Sequence, residues 1–219
     1  MSDARSLLTK MRRPLAAVAL GGMLALSLQG CFAVLAGGAI AGTFAATDRR
    51  TLGAQTEDKS IVVKGENRIP EVVAAGSHVN VTAFNRKVLL SGEVVDDASK
   101  QAAVREAKAI SNVDTVYDEL QVGPASSFGS RSSDALITSK VLASLVDDKQ
   151  LYSSAFKVTT ERGIVYMMGR VTQREGQRGA QIASGVSGVQ KVITLFEYIT
   201  EEELQEYQRK PASENKATS

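Results

Sequence analysis

Cys31 and His78 are the only cysteine and the only histidine among the 219 residues, which bounds the available side-chain chemistry at once. One of each excludes an internal disulfide framework, a cysteine-based zinc site and a histidine-rich metal centre. It also leaves little room for imidazole acid–base work. His78 stands just ahead of a β-rich run, a place that suits a surface or strand-edge residue better than a base or ligand. The carboxylate pairs Asp96-Asp97 and Asp147-Asp148 are the other candidates for acid–base chemistry. Both fall at the ends of predicted elements, where acidic side chains cap helices or stay solvated. No Gly-x-Ser-x-Gly elbow, P-loop or Gly-x-Gly-x-x-Gly loop occurs in the sequence. The residues imply a protein that is not an enzyme, with no catalytic residue, no metal and no cofactor.

Cys31 has a different use. A short basic region, Lys10-Met11-Arg12-Arg13-Pro14, precedes an apolar run from Leu15 to Leu28 and then Gln29-Gly30-Cys31. A basic start, a short apolar stretch and a small residue form a secretory signal, and that stretch is short for a membrane span. Leu28-Gln29-Gly30-Cys31 resembles the bacterial lipobox, with Gly30 small enough for the cleavage pocket and the Cys31 thiol able to carry a diacylglyceryl thioether. Position after the apolar run favours this over a buried thiol within a longer apolar helix. Residues 1–30 are then the signal peptide and Cys31 the lipidation site, with a covalent lipid the only added group. Phe32 follows Cys31 where an inner-membrane retention signal would place Asp, which points to the outer membrane, periplasmic face. Residues 31–57 form a Gly/Ala-rich tether, whose Gly38-x-x-x-Gly42 spacing and 15-residue apolar length (32–46) suit a membrane-hugging segment better than a span.

Charge patterning removes another class of partner. Residues 1–30 hold four of the 26 basic and one of the 24 acidic residues, leaving 22 basic against 23 acidic beyond them. A nucleic-acid binder shows a basic stripe within its folded part, and this chain has none.

The elements behind these residues are written twice. Val81-Thr82 and Val88–Val94 align with Val158-Thr159 and Val165–Val171 at a constant offset. With one residue gapped, Ile110–Val116 aligns with Val186–Val192. The two copies occupy 58–122 and 131–200, with a Gly/Ser/Pro-containing linker at 123–130 and a disordered tail at 201–219. Each copy reads as helix, two strands around a tight turn, helix and strand. The first helices are Asp58–Glu71 and Asp134–Val146, the former interrupted by Gly65 and Pro70. The turns are Phe84-Asn85-Arg86 and Glu161-Arg162-Gly163. The second helices run near Ala98–Ile110 and Glu175–Val186, and the last strands are Val116–Val122 and Val192–Ile199. Gly188 ends the second helix of copy two and Asn112 replaces it in copy one; both types tolerate the left-handed conformation a helix end needs.

This α-β-β-α-β order, with Val-x-x-x-Gly-x-Val on the second strand and Val-x-Gly-Val-x-x-Val at the helix-to-strand junction, resembles the BON domain. The resemblance implies an α+β protein of two tandem BON domains, each αββαβ with a three-stranded sheet and helices packed on one face. It also implies a phospholipid-binding envelope protein, which Cys31 would anchor to the outer membrane, with a role in envelope integrity and cell division. Two other functions remain open within the family: an adaptor docking on envelope-assembly or peptidoglycan-remodelling machinery, and a soluble periplasmic stress chaperone.

A binding trace lies in helix 134–146. At 100° per residue, Ile137, Val141 and Leu145 share one stripe, flanked by Thr138 and Ser144, which is enough to dock the helix on a small sheet. Leu136 and Val146 fall on the opposite side with Ser139, Lys140 and Ala143, and Arg131 lies just upstream. Apolar side chains beside a lysine suit an interfacial helix meeting anionic headgroups. The competing expectation buries this face against copy one or the linker. The resemblance favours lipid contact and makes Leu136, Lys140, Val146, Ser139, Ala143 and Arg131 the candidate lipid-binding residues of an anionic phospholipid membrane. The helix as read carries no aromatic anchor.

Overall fold

The computed structural model describes residues 48–209. Cys31, the signal peptide and the apolar part of the tether lie outside the described residues. The first copy comprises α1 (Leu52–Val72), β1 (His78–Phe84), β2 (Lys87–Val94), α2 (Asp97–Lys108) and β3 (Thr115–Val122). The second comprises α3 (Phe128–Asp147), a 3₁₀ turn (Ser153–Ala155), β4 (Phe156–Glu161), β5 (Ile164–Val171), α4 (Gln173–Ser184) and β6 (Lys191–Tyr198). Both sheets have the order first, second, third strand, with an antiparallel hairpin followed by a parallel pair. Each domain is therefore α+β, with its two helices on one face of a three-stranded sheet.

The same inward stripe docks the first helix of each copy. Ile61 and Ile69 are buried in the first core beside Val88, Leu90 and Ala103. Ile137, Val141 and Leu145 are buried in the second beside Val165 and Met167. An aspartate near the start of each helix also holds the hairpin turn. Asp58 accepts from the amides of Asn85 and Arg86 at 2.7 and 2.8 Å, and Asp134 from those of Arg162 and Gly163 at 2.9 and 2.8 Å. Those turn residues have positive φ, from 48° at Asn85 to 72° at Gly163, so two amides point the same way and one carboxylate satisfies both. Asn112 (φ 67°) and Gly188 (φ 99°) take the left-handed conformation at matching places, as their residue types predict.

The two sheets pack on each other through the faces their helices leave free. Alternation along β2 sends Val88 and Leu90 to the helices and Leu89 to the other side; β5 does the same with Val165 and Met167 against Tyr166 and Met168. Phe84, Leu89, Tyr166 and Met168 form a separate buried cluster, with Tyr117 and Ile193 packed around it. Thr82 Oγ1 lies 3.3 Å from Thr159 Oγ1, its own counterpart 77 residues on. A residue touching its counterpart is the mark of a two-fold arrangement, here between copies within one chain. Polar bonds rim the contact: Glu93 pairs with Arg162, Asn80 Nδ2 donates to Glu161, and Lys87 Nζ and Asn85 Nδ2 donate to Glu197 at 2.9 and 2.8 Å.

Three boundaries differ from the sequence expectation. The region assigned as linker ends early, because Ser127 Oγ accepts from the Ser130 amide at 3.2 Å and starts α3 at Phe128. The region assigned as tether ends before residue 57. Arg49, 6% exposed, makes a two-pronged ion pair with Glu175 at 2.7 and 2.8 Å and donates to the Arg170 carbonyl at 2.8 Å. Thr51 then caps an α1 that begins at Leu52 and runs through Pro70. The region assigned as disordered tail opens with a fifth helix, α5 (Glu201–Arg209), in which Leu204 is buried and the Arg170 guanidinium lies 5.6 Å from the Tyr207 ring centre.

Candidate functional site

Helix α3 carries apolar side chains on two faces, one buried and one exposed. Its inner stripe is consumed by the second core, and Thr138 Oγ1 donates to Thr160 Oγ1 at 2.7 Å on one flank. The outer face meets neither the first copy nor the linker. Leu136 is 63% exposed and Val146 67%, and Ser139, Lys140 and Ala143 lie exposed between them. Five of the six residues singled out from the sequence thus share one solvent-facing surface. The expectation that this face would be buried against copy one fails for a physical reason: the sheets' free faces supply the mutual burial instead.

Arg131, the sixth, is half-buried and turns to a different surface. It lines an open cleft between β1, α3 and β4, together with His78, Asn80, Asp134 and Glu161. Burial pushes the Glu161 carboxyl above its ordinary range, and the negative charges of Glu93 and Asp134 add to that, while the Asn80 hydrogen bond works against it. Glu93 behaves oppositely: despite burial, the Ser126 amide and Arg162 hold its carboxyl below the ordinary range. Tyr166, inside the interface cluster, has its phenol pushed up to about 12 by burial and by Glu119 and Glu161.

The longer α3 adds residues that the sequence reading missed. Phe128, 78% exposed, stands at its first position, and Leu142 is exposed on the outer side. The aromatic anchor absent from 134–146 is therefore present one and a half turns earlier. The available signal was Ser127 with Ser130 three residues on, an N-cap spacing hidden within a stretch whose Gly, Ser and Pro content reads as linker. His78 lies on the cleft wall, with Nε2 3.5 Å from Asn80 Nδ2. Asp96 caps α2 through the Ser99 amide at 2.7 Å, and Asp148 pairs with Arg178 at 2.8 Å. Among the described residues no group of three or more His, Cys, Asp or Glu side chains could hold a metal ion, and no helix is long and apolar enough to cross a membrane.

Duplicated αββαβ units, joined face to face, define the class. The chain belongs to the BON-domain family, whose model matches residues 58–124 and again 133–200. Among individual proteins, it is 38% identical over 174 residues to the outer membrane lipoprotein DolP of Haemophilus influenzae, covering 78% of this chain and 90% of that one. It is also similar to the 21 kDa hemolysin of Actinobacillus pleuropneumoniae, 27% identical across 69% of this chain and 79% of that one. The osmotically-inducible protein Y of Escherichia coli is 34% identical across 52% of this chain and 58% of its own length. The chain is an outer-membrane lipoprotein of the BON family.

Proposed function

We propose that a lipid on Cys31 anchors this lipoprotein and that the outer face of α3 makes a second contact with anionic phospholipid, in support of envelope integrity and cell division. The observation that carries the reading is the exposure of Leu136 and Val146 around Lys140, with Phe128 at the helix start. Apolar side chains entering the acyl boundary recover about 25 cal/mol per Å² of surface removed from water, and the lysine pairs with phosphate. Each contact is weak. A tether of some 16 residues beyond the lipid keeps α3 at high local concentration near the membrane, so a weak site suffices to bias where the protein sits.

Liposome co-sedimentation of acyl-free residues 47–219 tests the reading with and without phosphatidylglycerol. Binding that requires the anionic lipid and falls at least tenfold in folded Leu136→Glu and Val146→Glu variants is the expected outcome. Failure of the wild-type fragment to bind would leave Cys31 as the sole membrane contact. The protein would then be better read as an adaptor for envelope machinery, with substitutions on the first copy mattering as much as those on the second.

A further inference from the structure

The repeat places two equivalent grooves at opposite ends of the domain interface, and the described residues fill only one of them. In the first, the Asp48–Arg50 segment lies against α1 and the β1–β2 hairpin. Arg50 Nη1 donates to Asp58 Oδ2 at 2.7 Å, its guanidinium stacks 4.3 Å over the Phe84 ring, and Gln55 Nε2 donates to the Arg50 carbonyl at 3.3 Å. Asp48 completes the set by accepting from Arg50 Nε and Nη2 at 3.1 and 2.7 Å.

The counterparts of Asp58, Phe84 and Gln55 are Asp134, Glu161 and Arg131. All three line the cleft between β1, α3 and β4, which has a volume of about 470 Å³ and is open to solvent on one side. The chain leading into α3 does not enter it. That segment is held elsewhere, by the Ser126 amide donating to Glu93 at 3.0 Å and by Arg162 donating to the Pro124 carbonyl at 2.7 Å.

The chemistry of the open groove is what a guanidinium leaves unmatched. Asp58 Oδ2 accepts from both a turn amide and Arg50, whereas Asp134 Oδ2 accepts from the Arg162 amide alone. Asp58, Glu93 and Glu175 are buried acids that each hold an arginine. Glu161, 6% exposed, has the Asn80 amide and feels the charge of Arg131, but among the described residues no cation lies within ion-pair distance. Arg131 lines the same cleft without an ion pair, at the position from which Gln55 reaches a backbone carbonyl. Ligand sites favour clefts of this size at domain boundaries with a few convergent polar groups, and a buried carboxylate is stabilised by a paired, hydrogen-bonded cation.

We propose that this cleft docks an arginine-bearing peptide segment of a partner protein, with the guanidinium between Asp134 and Glu161 and a backbone carbonyl on Arg131. The docking is a copy in trans of what Asp48–Arg50 does in cis at the other end. It does not depend on the membrane reading of α3, whose outer face is a separate surface.

The test uses the purified full chain in detergent micelles and a fluorescein-labelled peptide of sequence Thr-Asp-Arg-Arg-Thr, followed by anisotropy. The control peptide carries citrulline in place of both arginines, which keeps the shape and removes the charge. Saturable binding is expected, at least tenfold weaker for the citrulline peptide and for Glu161→Gln, and unchanged in Leu136→Glu. Should Glu161→Gln fail to fold, the wild-type comparison of the two peptides and an Arg131→Ala variant, also expected to weaken binding, carry the test. No saturable binding, equal binding of the citrulline peptide, or loss of binding in Leu136→Glu would overturn the proposal.

Discussion

Helices α1 and α3 occupy the same place in the two copies, share an inner face and differ on the outer one. Ile61 and Ile69 correspond to Ile137 and Leu145, and each pair is buried in its own core. Facing out, Ser60, Glu66 and Asn67 of α1 correspond to Leu136, Leu142 and Ala143 of α3, while Lys64 corresponds to Lys140. The residues that hold the fold are thus kept between copies, and those that meet the surroundings are not. The outer face of α1 exposes Val63 among polar side chains, whereas that of α3 exposes Leu136, Leu142 and Val146 around Lys140. Duplication supplies the scaffold twice, so a binding face can be built on one copy while the other supplies the sheet that covers its partner's free face.

The largest effects should be identical in kind for both copies, because they strike the shared interior. A Cβ at Gly169 would come within 2.3 Å of the Ala155 carbonyl oxygen, and one at Gly92 within 2.2 Å of the His78 carbonyl oxygen, where φ is also +107°. Backbone atoms cannot step aside as a flexible side chain can. Gly169→Val should therefore cost more than about 4 kcal/mol, the exceptional range for a single substitution, and leave the second domain unfolded. Gly92→Val should do the same to the first. A melting curve for Gly169→Val that matches wild type would show that the two strand glycines are not equivalent and would break the comparison at its base.

Next in size is a place where the copies are asymmetric. Arg49 reaches from ahead of the first domain into the second and meets Glu175, the N3 residue of the α4 capping box. Arg49→Ala leaves that carboxylate buried without its partner and should destabilise by about 3 kcal/mol. Burial alone would raise the Glu175 carboxyl; the hydrogen bonds from Arg49 and the Thr172 amide outweigh it and hold the group below its ordinary range. A depressed folded-state value stabilises at pH above the ordinary carboxylate value and loses that stabilisation as pH falls through the depressed one. Wild type should keep this contribution at neutral pH and lose it in acid, whereas Arg49→Ala should show a smaller loss. Parallel acid dependence of the two melting temperatures would remove Arg49 from the account.

Arg49 also shows where sequence reading stops. The repeat, the inner stripes and the Asn112–Gly188 exchange were legible because each is a local pattern with a local cause. The outer face of α3 was legible as a pattern, and its exposure was not, since the competing reading buried the same residues. What settles the matter is the surface formed by Leu89, Tyr166 and Met168. Val88-Leu89-Leu90 and Val165-Tyr166-Met167-Met168 are unbroken apolar runs, the mark of strands buried on both faces, but such a run does not say what lies on its second face. Arg49 was illegible for the same reason: one arginine in Asp48-Arg49-Arg50 looks like the next until Glu175, 126 residues away, selects it.

The smallest change in stability should bring the largest change in behaviour, and it tests the comparison most directly. Ser60→Leu with Glu66→Leu gives α1 the counterparts of Leu136 and Leu142 while keeping Lys64 and the inner stripe. Glu66 is exposed and Ser60 half-buried, so the double variant should melt within about 0.5 kcal/mol of wild type, as surface substitutions away from special features do. If the outer face alone decides membrane contact, the variant should bind phosphatidylglycerol vesicles through either copy, and Leu136→Glu should no longer abolish its binding. A folded double variant that Leu136→Glu still silences would mean that α3 needs something α1 lacks. Phe128 at the start of α3 is then the residue to transplant, since the corresponding position at Leu52 carries no ring.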